Sequence, residues 1–255
     1  NKFGEKLSFF FNSHNDFLEE ISKFRAARKL WATIMKNRFS VDNERALYCR
    51  FHTQTGGSTL TAQQTDNNIV RTTLQAMAAV FGGTQSLHTN SSDEALSLPS
   101  ISSAQLALRT QQIIAYESGI NNHPDPFGGS YVIEEMTQNL FESAMKIIDE
   151  IDNMGGAISA INNGYIENEI IKSSYNYQKE IENGDKIIVG VNKFNINEKL
   201  DNNLFEIDLK EVNEQINTLK KLKLSRNNIQ VKNALKNLNL VAKSNDNLMP
   251  QIINC

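Results

Sequence analysis

Short apolar runs, each followed by a group of polar residues, occur three times in the first half of the chain. The apolar runs and the polar residues after them are 7–11 with 12–15, 47–51 with 52–57, and 86–87 with 88–94. A run of this kind is typical of a short buried strand, and the polar residues are typical of the loop that leaves the strand. The pattern therefore predicts three strands with polar ends.

Apolar residues at helical spacing follow the predicted strands. The predicted helices are 16–38, with the stripe Phe17, Ile21, Phe24, Trp31 and Met35; 67–81, with Val70, Leu74, Met77 and Phe81; and 102–116, capped by Ser102 or Ser103. The first helix can be capped by Asn15 or Asp16. Strand, loop and helix in succession predict parallel strands whose polar ends share the carboxyl edge of the sheet. In α/β folds, ligands bind at that edge.

The second half of the chain is predicted to be mostly helical. The expected helices are 131–154, with Leu140, Ala144, Ile147 and Ile151 facing inward, then 157–181, 211–224 and 228–242. Gly155 and Gly156 suit the end of the first of these, because glycine accepts the left-handed conformation. Residues 123–130 predict a structured turn and residues 186–191 a strand. We therefore predict two domains, an α/β domain at 1–130 and a helical extension at 131–255.

Composition limits the class of partner. The 255 residues include 26 basic and 29 acidic side chains, a net charge of −3, which predicts no nucleic-acid or anionic membrane partner. No apolar run approaches the roughly 20 residues needed to span a bilayer. Two cysteines are too few for a disulfide framework, so we expect an intracellular protein, cytoplasmic or in the mitochondrial matrix if eukaryotic. The first residue and the abrupt ends suggest a fragment or a processed chain.

The polar groups at the strand ends do not form a recognisable acid–base or metal site. Cys49 and His52 would lie on opposite faces of a strand, and no HxxxH, CxxC, P-loop or nucleophile-elbow spacing occurs. What remains is a hydrogen-bonding surface of Gln, Asn, Ser and Thr with one carboxylate. Such a surface orients a substrate without strong acid–base power, which suits chemistry performed by a cofactor.

Several unbroken segments resemble one enzyme family. They are KLSFFFNSHNDFLEEISKFRAARKLWA, RFHTQTGGSTLTAQQTDNNIVRT, GGTQSLHTNSSDEALSLP, ESGI and DPFGGSYVIEEMT, within residues 6–192. Together they resemble the catalytic barrel of the adenosylcobalamin-dependent acyl-CoA mutases, the family that includes the methylmalonyl-CoA mutase large subunit. The resemblance implies an α/β chain that forms the last three units of a TIM (β/α)8 barrel, followed by a mostly helical C-terminal segment.

The family's activity is then the expected function. The resemblance implies an isomerase that rearranges the carbon skeleton of an acyl-CoA, first of all methylmalonyl-CoA and succinyl-CoA, by a cobalamin-dependent radical mechanism. Adenosylcobalamin would be bound mainly by a domain or subunit outside this chain, since no D-x-H-x-x-G motif occurs. The expected partners are acyl-CoA, a cobalamin-binding domain or subunit, and further copies in an oligomer.

The resemblance also assigns binding residues, although no catalytic residue and no metal ligand. It places Gln54, Gln85, Ser86, Ser8 and Lys6 on acyl-CoA, and Gly57, Asn90, Glu94 and Ser97 on the cofactor. The family usually has Arg at Lys6, and Lys loses the two-pronged geometry for phosphate. Ser58 stands where methylmalonyl-CoA mutases often have Trp beside the corrin ring. Gln54 and Gln85 could instead be satisfied barrel amides, and Glu94 a first-turn helix carboxylate.

Three functional alternatives remain open from the sequence. The chain could be part of a related mutase that acts on isobutyryl-CoA, ethylmalonyl-CoA or 2-hydroxyisobutyryl-CoA. It could be a non-catalytic barrel subunit or fragment that supports an active partner. It could also be a truncated product without activity of its own, because three strands of eight leave two sheet edges unpaired.

Overall fold

The computed structural model describes residues 3–197, 205 and 207–255. The chain divides into two compact units, Asn1–Phe205 and Glu206–Cys255. The first unit is of mixed α/β type, and its described part contains the sheet. The domain boundary predicted between residues 130 and 131 stays a prediction.

The sheet has three parallel strands in the order β1-β2-β3: β1 Phe9–Ser13, β2 Phe51–Thr55 and β3 Ser86–His88. Phe9 pairs with Phe51, and Gln54 pairs with His88. The parallel arrangement and the shared carboxyl edge are confirmed. The three strand–helix units are consistent with part of a barrel.

Seven α-helices are described in the first unit. They are α1 Phe17–Phe39, α2 Glu44–Leu47, α3 Asn67–Phe81, α4 Ile101–Tyr116, α5 Tyr131–Asn153, α6 Ala157–Asn162 and α7 Tyr165–Asn183. Asp16 caps α1, because its side chain accepts a hydrogen bond from Glu19 N. Gly155 and Gly156 both have positive φ after α5, as predicted for a helix end.

Aromatic rings fill the layer between the sheet and the helices. Phe24 of α1 is fully buried and stacks on Phe51 of β2 with ring centroids 5.2 Å apart, and Phe11 of β1 meets Phe51 edge-on at 5.2 Å. A second cluster joins Ile21 of α1 to Ile133 of α5. These contacts fix the helices to one face of the sheet and leave the opposite face uncovered.

Two predicted strands were placed wrongly along the chain. β1 begins two residues later than the predicted 7–11 and continues to Ser13. The second strand begins at Phe51, because Leu47 ends the short helix α2, whose N-cap is Asn43. The residues from His52 to Thr55 are therefore strand residues and do not form the loop beyond it.

Other local predictions also fail where turn chemistry decides the structure. Ser100, not Ser102 or Ser103, caps α4, since its side chain accepts from Ser103 N. The helix predicted over 157–181 is two helices, separated at Gly164 with φ of 77°. Residues 186–191 form no strand, and only an isolated bridge joins Val189 to Lys193.

The buried face of α3 is not the apolar stripe of the sequence pattern. Val70 is 60% exposed and Leu74 48% exposed. The buried residues of α3 are mostly small or polar: Asn68, Thr72, Gln75, Ala76, Ala78 and Ala79. Small side chains let α3 approach the strands closely, and its amides reach the loops at the carboxyl edge.

The second unit contains α8 Leu209–Ser225, α9 Asn228–Val241 and α10 Met249–Ile253. Asp208 caps α8 and Asn227 caps α9, in each case through a side-chain oxygen that accepts from a first-turn backbone N–H. The helices predicted over 211–224 and 228–242 are confirmed. Among the described residues of both units, no helix is long and apolar enough to cross a membrane.

The two cysteines offer a test of the core. Burial raises the pKa of the Cys49 thiol from 9.0 to about 11, whereas Cys255 is exposed. Because only the thiolate is nucleophilic, a rise of two units leaves about 100-fold less of it at pH 8. We expect iodoacetamide to label Cys255 of the folded protein at least about 100-fold faster than Cys49. Peptide mass spectrometry measures the two labelling rates. Equal rates for Cys49 and Cys255 would contradict the packing around Cys49.

Candidate functional site

The uncovered face of the sheet is polar and belongs to alternate residues of the strands. Side chains of a strand point to opposite faces in turn, so the residues between the buried ones form a second surface. We call this surface the open face, and it consists of Phe10, Asn12, His52, Gln54, Ser86 and His88. In a closed barrel, a face turned away from the helices would be the interior.

Three side chains of the open face contact one another across the strands. His52 Nδ1 lies 2.7 Å from Ser86 Oγ, and the His52 ring lies 5.1 Å from the Phe10 ring. Phe10 is nevertheless 59% exposed. An exposed aromatic ring in a polar surface provides apolar contact area for a ligand.

The sequence pattern predicts a buried strand that includes Phe10, and for Phe10 that prediction is wrong, because its side chain is exposed. Alternation along FFFNS was the signal that could have found it, since Phe9 and Phe11 face the helices.

Four of the predicted site residues meet beyond the carboxyl edge. Gln54 Nε2 donates to Asn90 Oδ1 at 2.8 Å, and Thr55 Oγ1 accepts from Asn90 N at 2.9 Å. A Cβ built on Gly57 would lie 2.7 Å from Asn90 Nδ2 and 3.5 Å from Glu94 Oε1. We call Gln54, Gly57, Asn90 and Glu94 the carboxyl-edge cluster.

One donor of this cluster has no partner. Asn90 is 2% exposed, and its Nδ2 makes no hydrogen bond among the described residues. A buried donor without a partner costs free energy, about 1–3 kcal/mol, unless a ligand or water accepts its hydrogen. Glu94 is exposed beside it and presents a carboxylate. The arrangement can accept hydrogen bonds from hydroxyls through Glu94 and donate one through Asn90.

Asp93 fixes the loop that carries Asn90 and Glu94. Its Oδ2 accepts from Ser100 N at 2.9 Å and from Ser103 Oγ at 2.6 Å, which ties the loop to the start of α4. Burial raises the pKa of the Asp93 carboxyl, but the hydrogen bonds outweigh burial and hold the pKa below its usual value. Asp93 therefore stays ionised at neutral pH, and its contribution to stability is lost only as the pH falls through that lowered value.

The other predicted acyl-CoA residues lie at the amino edge of the sheet. Lys6 ends the short 3-10 helix Gly4–Lys6 and is exposed, and Ser8 precedes β1. Gln85 precedes β3, where its Oε1 accepts from Phe51 N at 2.7 Å and its Nε2 donates to Gly83 O at 2.9 Å.

The structure thus separates the predicted binding residues into two groups. Gln54 joins the predicted cofactor residues, while Gln85 and Ser8 lie three and four residues nearer the amino edge, about 10 and 13 Å along the strands, and Lys6 lies beyond Ser8. Ser86, on the open face, lies towards the amino edge, paired with His52. Ser97 donates to Leu98 O within its own loop, and no described contact joins it to the carboxyl-edge cluster.

A cavity adjoins the loop between β2 and α3. Its volume is about 560 Å³, and its walls include Ser58, Leu60, Arg71, Tyr177 and Ile187. Arg71 donates to Asn68 Oδ1 at 2.7 Å and to Val189 O at 2.8 Å, and burial lowers the pKa of its guanidinium. Arg71 thereby attaches the segment around Val189 to α3.

Comparisons with known proteins agree on one family. The family model described as methylmalonyl-CoA mutase matches residues 1–255. The chain is 45% identical over 246 residues to the mitochondrial methylmalonyl-CoA mutase of Homo sapiens, covering 96% of this chain and 33% of that protein. It is 41% identical over 253 residues to the methylmalonyl-CoA mutase of Escherichia coli, with 99% and 35% covered.

A related enzyme with another name is similar to the same extent. The 2-hydroxyisobutanoyl-CoA mutase large subunit of Aquincola tertiaricarbonis is 41% identical over 254 residues, covering 99% of this chain and 45% of that protein. The chain therefore spans between a third and a half of the length of these relatives.

Proposed function

This chain belongs to the methylmalonyl-CoA mutase family, and from that premise we propose that it forms the C-terminal units of a mutase barrel that rearranges the carbon skeleton of an acyl-CoA. Methylmalonyl-CoA is the proposed substrate, since the relatives from Homo sapiens and Escherichia coli are named for it. The Aquincola tertiaricarbonis relative makes 2-hydroxyisobutanoyl-CoA the second candidate. A cobalamin-binding domain or subunit would complete the site.

The observation that supports this proposal is the unpartnered Nδ2 of Asn90 beside Gly57 and Glu94. These residues fit the adenosyl group of adenosylcobalamin. Glu94 would accept hydrogen bonds from ribose hydroxyls, and Asn90 Nδ2 would donate to a ring or hydroxyl acceptor. Gly57, without a side chain, would allow a flat ring system to approach the backbone. When bound, adenosylcobalamin would supply the radical that removes a hydrogen atom from the substrate.

The open face would hold the acyl-CoA between the two edges. Lys6 at the amino edge is a cation suited to a phosphate, although without the bidentate geometry of Arg. Gln54 at the carboxyl edge lies beside the cofactor residues and would orient the acyl group. His52, Ser86 and Phe10 lie on the open face between the two edges and would contact the acyl-CoA there. Closure by the remaining strands would exclude water from the radical.

The test uses a grafted mutase, the Escherichia coli enzyme with its aligned segment replaced by residues 1–255. We expect Glu94→Ala to weaken adenosylcobalamin binding about tenfold or more, because a hydrogen bond to a charged group contributes about 1.5–3 kcal/mol. Gln54→Ala should weaken acyl-CoA binding by a similar factor, about tenfold. Visible-absorbance titration and calorimetry measure the two affinities.

The matched controls are Glu135→Ala on the exposed side of α5 and Gln105→Ala on the exposed side of α4, which should leave both affinities unchanged. Unchanged binding in both site variants would refute the assignment of these residues. A folded grafted mutase that binds neither ligand would refute the proposed function. Binding of both ligands without turnover would support the alternative of a non-catalytic supporting subunit.

A further inference from the structure

One fully buried glutamine connects helix α3 to the carboxyl edge of two strands. Gln75 is 0% exposed. Its Oε1 accepts from Gly56 N at 2.9 Å, and its Nε2 donates to Asn15 Oδ1 at 2.5 Å and to Thr59 Oγ1 at 2.6 Å. Its backbone oxygen accepts from Ser13 Oγ at 2.8 Å. Each polar atom of the side chain therefore has a partner on a strand-end loop.

A second amide on the same helix continues this network to the third strand. Asn68 Nδ2 donates to Thr61 O and to Ser92 O, both at 2.8 Å, and Asn68 Oδ1 accepts from Thr61 N at 3.1 Å. Asn68 is also 0% exposed. The two amides together hold the loops that follow β1, β2 and β3.

The pattern of apolar residues in α3 does not predict this network of buried amides. A helix that only covered a sheet would bury Val70 and Leu74, which are exposed here, and would leave its amides in water. Burying two amides is favourable only when their hydrogen bonds are made, since each unmade bond costs the full desolvation penalty. The conformation of the loops therefore depends on the position of α3.

We propose that Gln75 is a positioning residue that sets the Gly56–Gly57 backbone against Asn90 and so preorganises the adenosyl site. The inference rests on the proposed function of the carboxyl-edge cluster. Gln75 touches neither ligand, and acts through Gly56 and Thr59, the residues on either side of Gly57 and Ser58. A Cβ built on Gly57 would lie only 2.7 Å from Asn90 Nδ2, so the Gly57 backbone and the Asn90 side chain are close together. A small shift of the Gly56–Gly57 backbone therefore changes the space that is available to a ligand.

The test compares Gln75→Leu, which is close to Gln in size but makes none of these hydrogen bonds, with Gln75→Glu, which keeps an acceptor for Gly56 N. Both are made in the grafted mutase, with Gln105→Leu on exposed α4 as the matched control. We expect Gln75→Leu to weaken adenosylcobalamin binding about tenfold and to speed amide exchange over residues 56–61 about tenfold. Gln75→Glu keeps the acceptor for Gly56 N but cannot donate to Asn15 Oδ1 or Thr59 Oγ1, so it should restore only part of both properties, and the KM for acyl-CoA should stay unchanged in both variants.

The outcomes separate this inference from the proposed function. If the grafted mutase with the unaltered chain fails to bind adenosylcobalamin, the proposed function fails, whereas the exchange measurement still tests the role of Gln75. If the unaltered graft binds and Gln75→Leu binds equally well with unchanged exchange, the positioning role is refuted. A purely structural role would raise the KM for acyl-CoA and weaken cofactor binding together, which would also refute it.

Should Gln75→Leu fail to fold, Thr59→Val serves as the second variant. It removes the Thr59 hydroxyl, which accepts from Gln75 Nε2 and donates to Gly56 O, and preserves the shape of the side chain. The inference then requires faster exchange over residues 56–61 and weaker adenosylcobalamin binding in Thr59→Val. Unchanged values in that variant would overturn it.

Discussion

Replacing Gly57 with alanine is expected to lower adenosylcobalamin affinity of the grafted mutase about 100-fold. The new Cβ would lie 2.7 Å from Asn90 Nδ2, closer than side-chain atoms tolerate. Asn90 cannot move away freely, because its Oδ1 is held by Gln54 and its backbone N by Thr55. Overpacking costs about 1–3 kcal/mol and a lost hydrogen bond about 1 kcal/mol, which together correspond to roughly two orders of magnitude.

Backbone strain does not complicate this variant, since Gly57 is absent from the residues with positive φ. The loss should therefore arise from the clash alone, and because this clash lies within the protein, it should also lower the unfolding temperature of the grafted mutase slightly. The matched control is Gln63→Ala, an exposed position in the same loop. Normal cofactor affinity in Gly57→Ala would show that no ligand approaches the backbone at this point.

Residues 1–255 expressed alone are expected to form large aggregates, whereas the grafted mutase should elute as a discrete species. In the part of the chain that the structure describes, β1 and β3 each pair on one side only, with β2 between them. Each therefore presents a row of unpaired backbone donors and acceptors to solvent. Parallel sheets are normally covered on both faces, and here the open face with its exposed Phe10 is bare.

Size-exclusion chromatography with light scattering measures this difference. A positively charged edge would also resist aggregation, so a β1 variant, Asn12→Lys, is the appropriate comparison and should reduce the aggregate fraction of the isolated chain. A monodisperse monomer of the unaltered 255 residues would contradict the exposed-edge argument.

The sequence predicted the three strands of the sheet, their parallel arrangement and most helices, because these follow from local patterns, but the strand predicted over 186–191 is wrong. The apolar runs are separated by helices too long for hairpins, and such connections make parallel neighbours. It placed two strands wrongly, since Leu47 belongs to a short helix that is capped by Asn43, and capping competes with strand propensity over so few residues.

The candidate site was predicted in part. The resemblance to a family identified Gln54, Gly57, Asn90 and Glu94, which the structure brings together. It also grouped Gln85 with Gln54, although strand direction places Gln85 at the opposite edge with both ends of its amide bound to backbone. Gln85 immediately precedes β3, so its position at the amino edge follows from the direction of the chain, and only its hydrogen-bond partners required the structure.

The sequence by itself determined the family, the alternation of strand and helix, and the residue types of a hydrogen-bonding site, because motifs and periodicity are local properties. Only the tertiary structure decided which polar residues meet, and which face of the sheet and of α3 is buried. Gln75 shows the reason. Its partners, Gly56, Asn15 and Thr59, lie 16 to 60 residues away along the chain, and only packing of α3 against the strand ends makes burying its amide favourable.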